Sequence, residues 1–234
     1  MSESNKPKSY KKWKILILSV ENSERRKHVE NLKMVLENHQ IETEIIDAYY
    51  YKTTDVVEKL LSFGIMYDSP TLTLSQSQIG CFLSHREAWR KIQSAPDNES
   101  ETLHIILEDD MDLMDPDNFN IYYLLEDIQQ LQNFDGLILW KHPRQLFEND
   151  PKNITENLQE FYYQWGLCAY CVTKPAASKL LEINRFYQPV DEMVFKDIFP
   201  SLNVFYVKNQ HFMNMGGLTS DSKYGTQFKS LIWT

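Results

Sequence analysis

The sequence predicts an α/β protein with a central, mostly parallel sheet flanked by helices. Three observations carry that prediction. The chain opens strand–helix–strand, the pattern of a parallel βαβ unit. Its strand-like runs, Lys14–Val20 and Thr102–Leu107, are continuously apolar, as in strands covered on both faces. Between such runs lie segments whose apolar residues recur at helical spacing.

Lys14–Val20 is the first expected strand. The helix after it takes Asn22 or Ser23 as its cap and buries Val29, Leu32, Val35 and Leu36. Glu42–Asp47 reads as the second strand and Lys52–Phe63 as a helix, with a loop from Gly64 to Thr73. Ser75-Gln76-Ser77-Gln78 has the form of a capping box, opening a helix that carries Ile79, Phe82, Leu83, Trp89 and Ile92. After Thr102–Leu107, Pro116 precedes a helix expected over Phe119–Leu131. Leu137–Trp140 is a short strand, and Leu146–Glu160 is polar and irregular. Phe161–Thr173 reads as strand, Pro175–Ile183 as helix and Val204–Val207 as the last strand. The tail from Gly216 is rich in Gly, Ser and Thr and is expected to fold over a site.

Composition narrows the function classes. The 234 residues suffice for one sizeable core, and no repeat or linker divides them. Residues 13–234 are therefore expected to be a single domain, behind a flexible basic tail over residues 1–12. A hydrophobic content of 42% excludes a disordered chain, and a net charge of −9 repels nucleic-acid phosphates. Aromatics at 13% suit a site that stacks rings or sugars, although an ordinary core uses aromatics too. No apolar stretch approaches the roughly 20 residues of a membrane span. Ile15–Leu18 is too short for a signal-peptide core, so a cytoplasmic location is expected. Cys81, Cys168 and Cys171 make no disulfide framework. Cys168-x-x-Cys171 has no second Cys/His pair behind it, which argues against a zinc site.

The strongest chemical signal is Glu108-Asp109-Asp110, directly after an apolar strand. Ligands of open α/β sheets bind beyond the carboxyl ends of strands. Crowded carboxylates raise one another's pKa, and a divalent cation such as Mn²⁺ or Mg²⁺ removes that penalty. Strand alternation puts Glu108 and Asp110 on one side. By local pattern alone, a metal site and a solvated acidic turn remain equally open. Arg25 and Arg26 follow the first strand and either reach a phosphate or cover the surface. His85 is either a sugar ligand or base, or a packed histidine. Asp191-Glu192 offers a general base, or acids at a helix N-terminus. The chain has no G-x-x-x-x-G-K-[ST] loop, no G-x-G-x-x-G after the first strand and no Ser-His-Asp spacing. P-loop ATPases, dinucleotide dehydrogenases and triad hydrolases are thereby disfavoured.

Gln78-Ile79-Gly80-Cys81-Phe82-Leu83-Ser84-His85, then Trp89, then Leu107-Glu108-Asp109-Asp110, resembles glycosyltransferase family 25. Further likenesses are Glu21–Arg26, Asp47-Ala48, Trp165–Val172, Ala176–Leu181, Pro189-Val190-Asp191-Glu192 and Thr219–Ser222. The last two lean towards the collagen-modifying branch. The resemblance implies a GT-A-type fold, a UDP-sugar donor such as UDP-galactose, Mn²⁺, and inversion at the anomeric carbon. It implies an acceptor hydroxyl on a glycan or a collagen-like hydroxylysine. Asp110 would be the best metal ligand, with Glu108 and Asp109 beside it, and Asp191 the base, with Glu192 next to it. Arg26, with Arg25, would sit near the nucleotide, and Gly80, Ser84 and His85 would line the donor pocket. Leu139-Trp140-Lys141-His142-Pro143 departs from the family's glycine-containing segment, and His211 is the late histidine available to a metal. A catalytically inactive relative that binds nucleotide or glycan is the alternative.

Overall fold

The computed structural model describes residues 9–67, 74–96, 99, 101–142 and 151–214. The expected tail from Gly216, with Thr219–Ser222, lies outside them, as do residues 1–8 and 143–150. The strands are β1 Lys12–Ser19, β2 Glu42–Asp47, β3 Met66–Tyr67, β4 Thr102–Glu108, β5 Met111–Leu113, β6 Gly136–Ile138, β7 Leu158–Glu160, β8 Ala169–Val172, β9 Arg185–Phe186, β10 Val204–Val207 and β11 Phe212–Asn214. The helices are α1 Arg26–Asn38, α2 Val56–Ser62, α3 Gln76–Gln93, α4 Tyr123–Gln129, α5 Lys174–Leu181 and α6 Val190–Met193, the last running into a π-helical turn, Val194–Ile198.

Seven strands form the central sheet in the order β2-β1-β4-β8-β6-β10-β7. β2, β1, β4, β6 and β10 run in one direction, while β8 and β7 oppose them. The α/β class and the mostly parallel sheet are thus as expected. Alternate residues of β1 face opposite sides. Leu16 and Leu18 join the core beneath α3 and α5, and Ile15 and Ile17 join the core beneath α1 and α4. Burial on both faces is why these strands read as unbroken apolar runs.

Several boundaries differ from the sequence reading for identifiable reasons. The first helix starts at Arg26 without a side-chain cap, because Asn22 takes a left-handed turn (φ 59°) and Ser23 stays outside. α2 starts late because Asp55 caps it, accepting from Glu58 N, while Thr53 and Thr54 are tied in a turn to Tyr50 O. Asn120 accepts from Tyr122 N and delays α4 to Tyr123. The long strand expected over Phe161–Thr173 shrinks to β8, since Gly166 adopts φ +82°. Part of the expected irregular loop, Leu158–Glu160, is an edge strand on β10. The capping box at Ser75 is present with both of its hydrogen bonds.

One close approach fixes α3 against the sheet edge. A Cβ on Gly80 would stand 2.5 Å from Tyr49 O, a backbone atom with no freedom to retreat. Gly80→Ala is therefore expected to destabilise the protein by about 1–3 kcal/mol despite alanine's better helix propensity, measured as a lower urea midpoint at unchanged slope.

Candidate functional site

The carboxyl ends of the parallel strands converge on one edge of the sheet. Leu18 lies opposite Glu108, so the turn after β1 runs beside Asp109 and Asp110. β8 arrives antiparallel at the same edge, with Glu108 N donating to Cys168 O at 2.9 Å. The Trp165–Cys168 segment, Trp140 beyond β6 and Asp191 at the start of α6 are brought in with it. Glu108, Asp109, Asp110 and Asp191 are all buried.

Arg25 is the cation of this cluster. Its Nη1 is 2.8 Å from Asp109 Oδ1 and 3.9 Å from Asp110 Oδ2, and its side chain is buried. Arg26 turns instead to the surface, where it pairs with Asp47 at 2.8 Å. Of the two arginines, the structure brings Arg25 to the cluster and leaves Arg26 at its margin.

Asp109 points to Arg25, while Glu108, Asp110 and the Cys168 thiol each offer a donor atom within 4.8 Å of the others. Burial, then the charges of Asp109 and Asp191, push the Glu108 carboxyl up to about 8. Burial also raises Asp109, against the pull of Arg25. No oxygen or nitrogen donor reaches Glu108 Oε2; the Cys168 thiol sits against this carboxylate.

His85 is fully buried and does not line an open pocket. Its Nδ1 is 2.9 Å from Tyr170 Oη and its Nε2 is 3.2 Å from Glu108 Oε1. Burial lowers its pKa to about 3, so near neutrality its contact with Glu108 is a neutral hydrogen bond, not an ion pair. Trp89 Nε1 can only donate, and it does so to Tyr170 Oη at 2.7 Å. The assignment that places every proton in a bond then runs from Trp89 to Tyr170, from Tyr170 to His85 Nδ1, and from His85 Nε2 to Glu108. This buried chain holds the Glu108 carboxyl from behind. Tyr170→Phe removes a donor and an acceptor at once. The expected loss is about 1–3 kcal/mol for each stranded buried group, read by thermal unfolding.

Ser84 and Gly80 serve packing in this conformation. Ser84 Oγ accepts from Tyr49 N at 2.9 Å and donates to Gly80 O at 2.7 Å. Asp191 Oδ2 accepts from Gly166 N at 2.8 Å, while buried Oδ1 has no hydrogen-bond partner. Glu192 takes the Tyr163 hydroxyl at 2.6 Å and pairs with Lys196. His211 is not brought to the acids. Its carbonyl accepts from Met114 N, beyond the end of β5. Its Nε2 is held by Tyr123 Oη at 2.7 Å.

Sequence reasoning missed Cys81, Cys168 and Tyr170. Cys81 lies with His85 and Glu108, their donor atoms within 4.8 Å of one another. Nothing in the local sequence separates these from ordinary core residues, since it is the antiparallel arrival of β8 that brings Cys168 and Tyr170 here. Cys171, three residues on, lies in the same core but in mid-sheet opposite Ile105 and Leu137, away from the strand end, and forms no disulfide with Cys168.

A family model described as glycosyltransferase family 25 (LPS biosynthesis protein) matches residues 12–194. The chain is 28% identical over 180 residues to procollagen galactosyltransferase 1-A of Xenopus laevis, covering 70% of this chain and 28% of that one. It is 27% identical over 186 residues to human procollagen galactosyltransferase 2, covering 74% and 29%. A putative glycosyltransferase of Haemophilus influenzae is 30% identical over 181 residues, covering 74% and 59%. The chain thus spans less than a third of the length of these procollagen galactosyltransferases. Among solved structures, a glycosyltransferase involved in glycosylation of the major capsid of PBCV-1 superposes with a TM-score of 0.53 at 12% identity, covering 89% of this chain and 95% of that one. That likeness bears on fold, and it agrees with the expected GT-A-type architecture.

Proposed function

Because the chain belongs to glycosyltransferase family 25, we propose that it transfers a hexose, galactose being the first choice, from a UDP-sugar to an acceptor hydroxyl, with inversion. The observation that supports this most is the buried Glu108–Asp109–Asp110 cluster at the carboxyl edge of the sheet, faced by Arg25 and Asp191.

The residues fit a divalent cation. Glu108 and Asp110 bring carboxylate oxygens within 4.8 Å of each other, and burial and crowding hold Glu108 above the usual carboxylate range. Asp110 and Glu108 would hold Mn²⁺ or Mg²⁺, with Asp109 kept in place by Arg25. Bound there, such a cation would supply positive charge to offset that of the diphosphate.

The chain's own residues account for the rest. The Trp89–Tyr170–His85 chain fixes Glu108. Asp191, tethered through Oδ2 to Gly166, presents Oδ1 to an acceptor hydroxyl and takes its proton. The acceptor oxygen forms its bond to the anomeric carbon from the face opposite the diphosphate, and the anomeric carbon–phosphate oxygen bond breaks with its electron pair leaving on UDP. Inversion follows from that single displacement. The alternative of an inactive binding protein predicts no turnover.

Incubation with a panel of UDP-sugars and Mn²⁺, with UDP release as readout, tests the proposal. Release from one hexose donor that an acceptor accelerates is expected. The absence of release from every donor would favour the inactive reading.

A further inference from the structure

Trp165 is the large residue at this edge that the transfer chemistry above leaves unused. It is 53% exposed, yet its neighbours Gln164, Leu167 and Cys168 are buried. Its exposure is not slack. Gln164 Nε2 donates to Trp140 O at 3.0 Å and Gln164 Oε1 accepts from His142 N at 3.2 Å, clamping this segment to the one after β6. On the other side, Gly166 N is bound to Asp191. A Cβ at Gly166 would meet the Trp140 ring at 2.9 Å, so the tight turn here needs glycine. The Trp165 ring lies beside Tyr163 and the Glu192 carboxylate. The backbone on either side of it is held, while the ring itself stays half exposed.

Trp165 also ends a row of edge-to-face rings. The rings of Trp140 and His142 lie 5.7 Å apart, and those of His142 and Trp165 lie 5.8 Å apart at 89°. Gly166, the residue after Trp165, bonds to Asp191, whose Oδ1 is buried without a hydrogen-bond partner. A rigid aromatic surface beside an unmatched carboxylate oxygen matches one ligand chemistry well. The C–H face of a pyranose packs on an indole, leaving ring hydroxyls at the rim to donate. A lysine-type acceptor is served less well, since Glu192 already takes Lys196 and Tyr163.

We propose that Trp165 is the acceptor platform and that the acceptor is a carbohydrate, its pyranose ring stacked on the indole with one hydroxyl at Asp191 Oδ1. This rests on the transferase reading for its purpose, but the binding can be tested without turnover.

Saturation-transfer NMR of the full chain with lactose, with and without UDP, reads ring contact directly. A hydroxylysine-containing peptide serves as the competing acceptor. We expect transfer to the lactose ring protons, an affinity about tenfold weaker in Trp165→Ala, and near-wild-type affinity in Trp165→Phe, which keeps a flat ring. Should Trp165→Ala not fold, Trp165→Leu keeps the bulk and loses the flat face, and the same tenfold loss is expected. Equal lactose binding in the wild type and the folded variant would overturn the proposal. So would transfer to the peptide with none to lactose, or no contact with lactose at all. A protein that binds lactose through Trp165 yet releases no UDP from any donor would refute the transferase reading and leave the platform standing.

Discussion

Asp110→Ala is expected to abolish metal-stimulated UDP release, lowering it by about a thousandfold. Asp110 is buried within 4.8 Å of Glu108 and the Cys168 thiol, at the strand end where the anionic leaving group would gather charge. Removing its carboxylate leaves Glu108 and Asp109, and Asp109 is already committed to Arg25 at 2.8 Å. Glu108 alone is a poor cation site, because its ionisation is opposed by burial. Asp112→Asn is the matched control. It lies two residues on, in β5, and its carboxylate accepts from Leu113 N. Release that falls in Asp110→Ala and persists in Asp112→Asn assigns the loss to the cluster and not to acidity near the strand. Unchanged release in Asp110→Ala would sink the ligand role.

Much of the sheet was legible because its strands β1 and β4 are buried on both faces. β1, β2, β4 and β10 could be read almost to the residue, and the Ser75 box marked the start of α3. The acidic triplet was visible for the same reason, since three carboxylates ending an apolar run have no packing explanation. The reversed direction of β8 was not visible. A four-residue apolar strand carries no sign of its polarity, and that polarity decides which residues reach the edge. With β8 antiparallel, Trp165–Cys168 come to the site and Cys171 does not. The sequence likewise did not separate Arg25 from Arg26. Adjacent residues at a helix start differ by about 100° in direction, and the left-handed turn at Asn22 sets which one points inward. His85 was read as a ligand or a packed residue, and its burial with both ring nitrogens engaged gives it a positioning role that required Tyr170, 85 residues away.

The stability of the metal-free protein is expected to fall between pH 6.5 and pH 8, and Glu108→Gln is expected to remove most of that fall. The folded-state Glu108 pKa is about 8 against an ordinary 4.5. Between those values the folded protein keeps a proton that the unfolded chain has lost, so stability declines as pH rises. His85 acts oppositely. Its folded pKa of about 3 lies below the ordinary 6.5, so it favours folding increasingly as pH rises from 3 to 6.5 and then contributes no further change. Burial lowers His104 and His211 as well, in the same direction. The two trends oppose each other between 4.5 and 6.5. Above 6.5 the histidine trend fades and the Glu108 slope leads, amounting to roughly 2 kcal/mol by pH 8, with the raised Asp109 acting in the same direction. Glutamine keeps the carbonyl that accepts from His85 Nε2 and has no proton to lose. Urea melts at pH 6.5 and 8 would show the wild-type midpoint falling and the variant's nearly level. Mn²⁺ adds a second arm, since a cation that binds the ionised cluster stabilises the folded state by mass action. Its stabilising effect should therefore grow with pH in the wild type and be weak in Glu108→Gln. A wild-type midpoint that holds level from 6.5 to 8, with a pH-independent response to Mn²⁺, would mean that Glu108 is already ionised in the folded protein and is not held protonated by its buried neighbours.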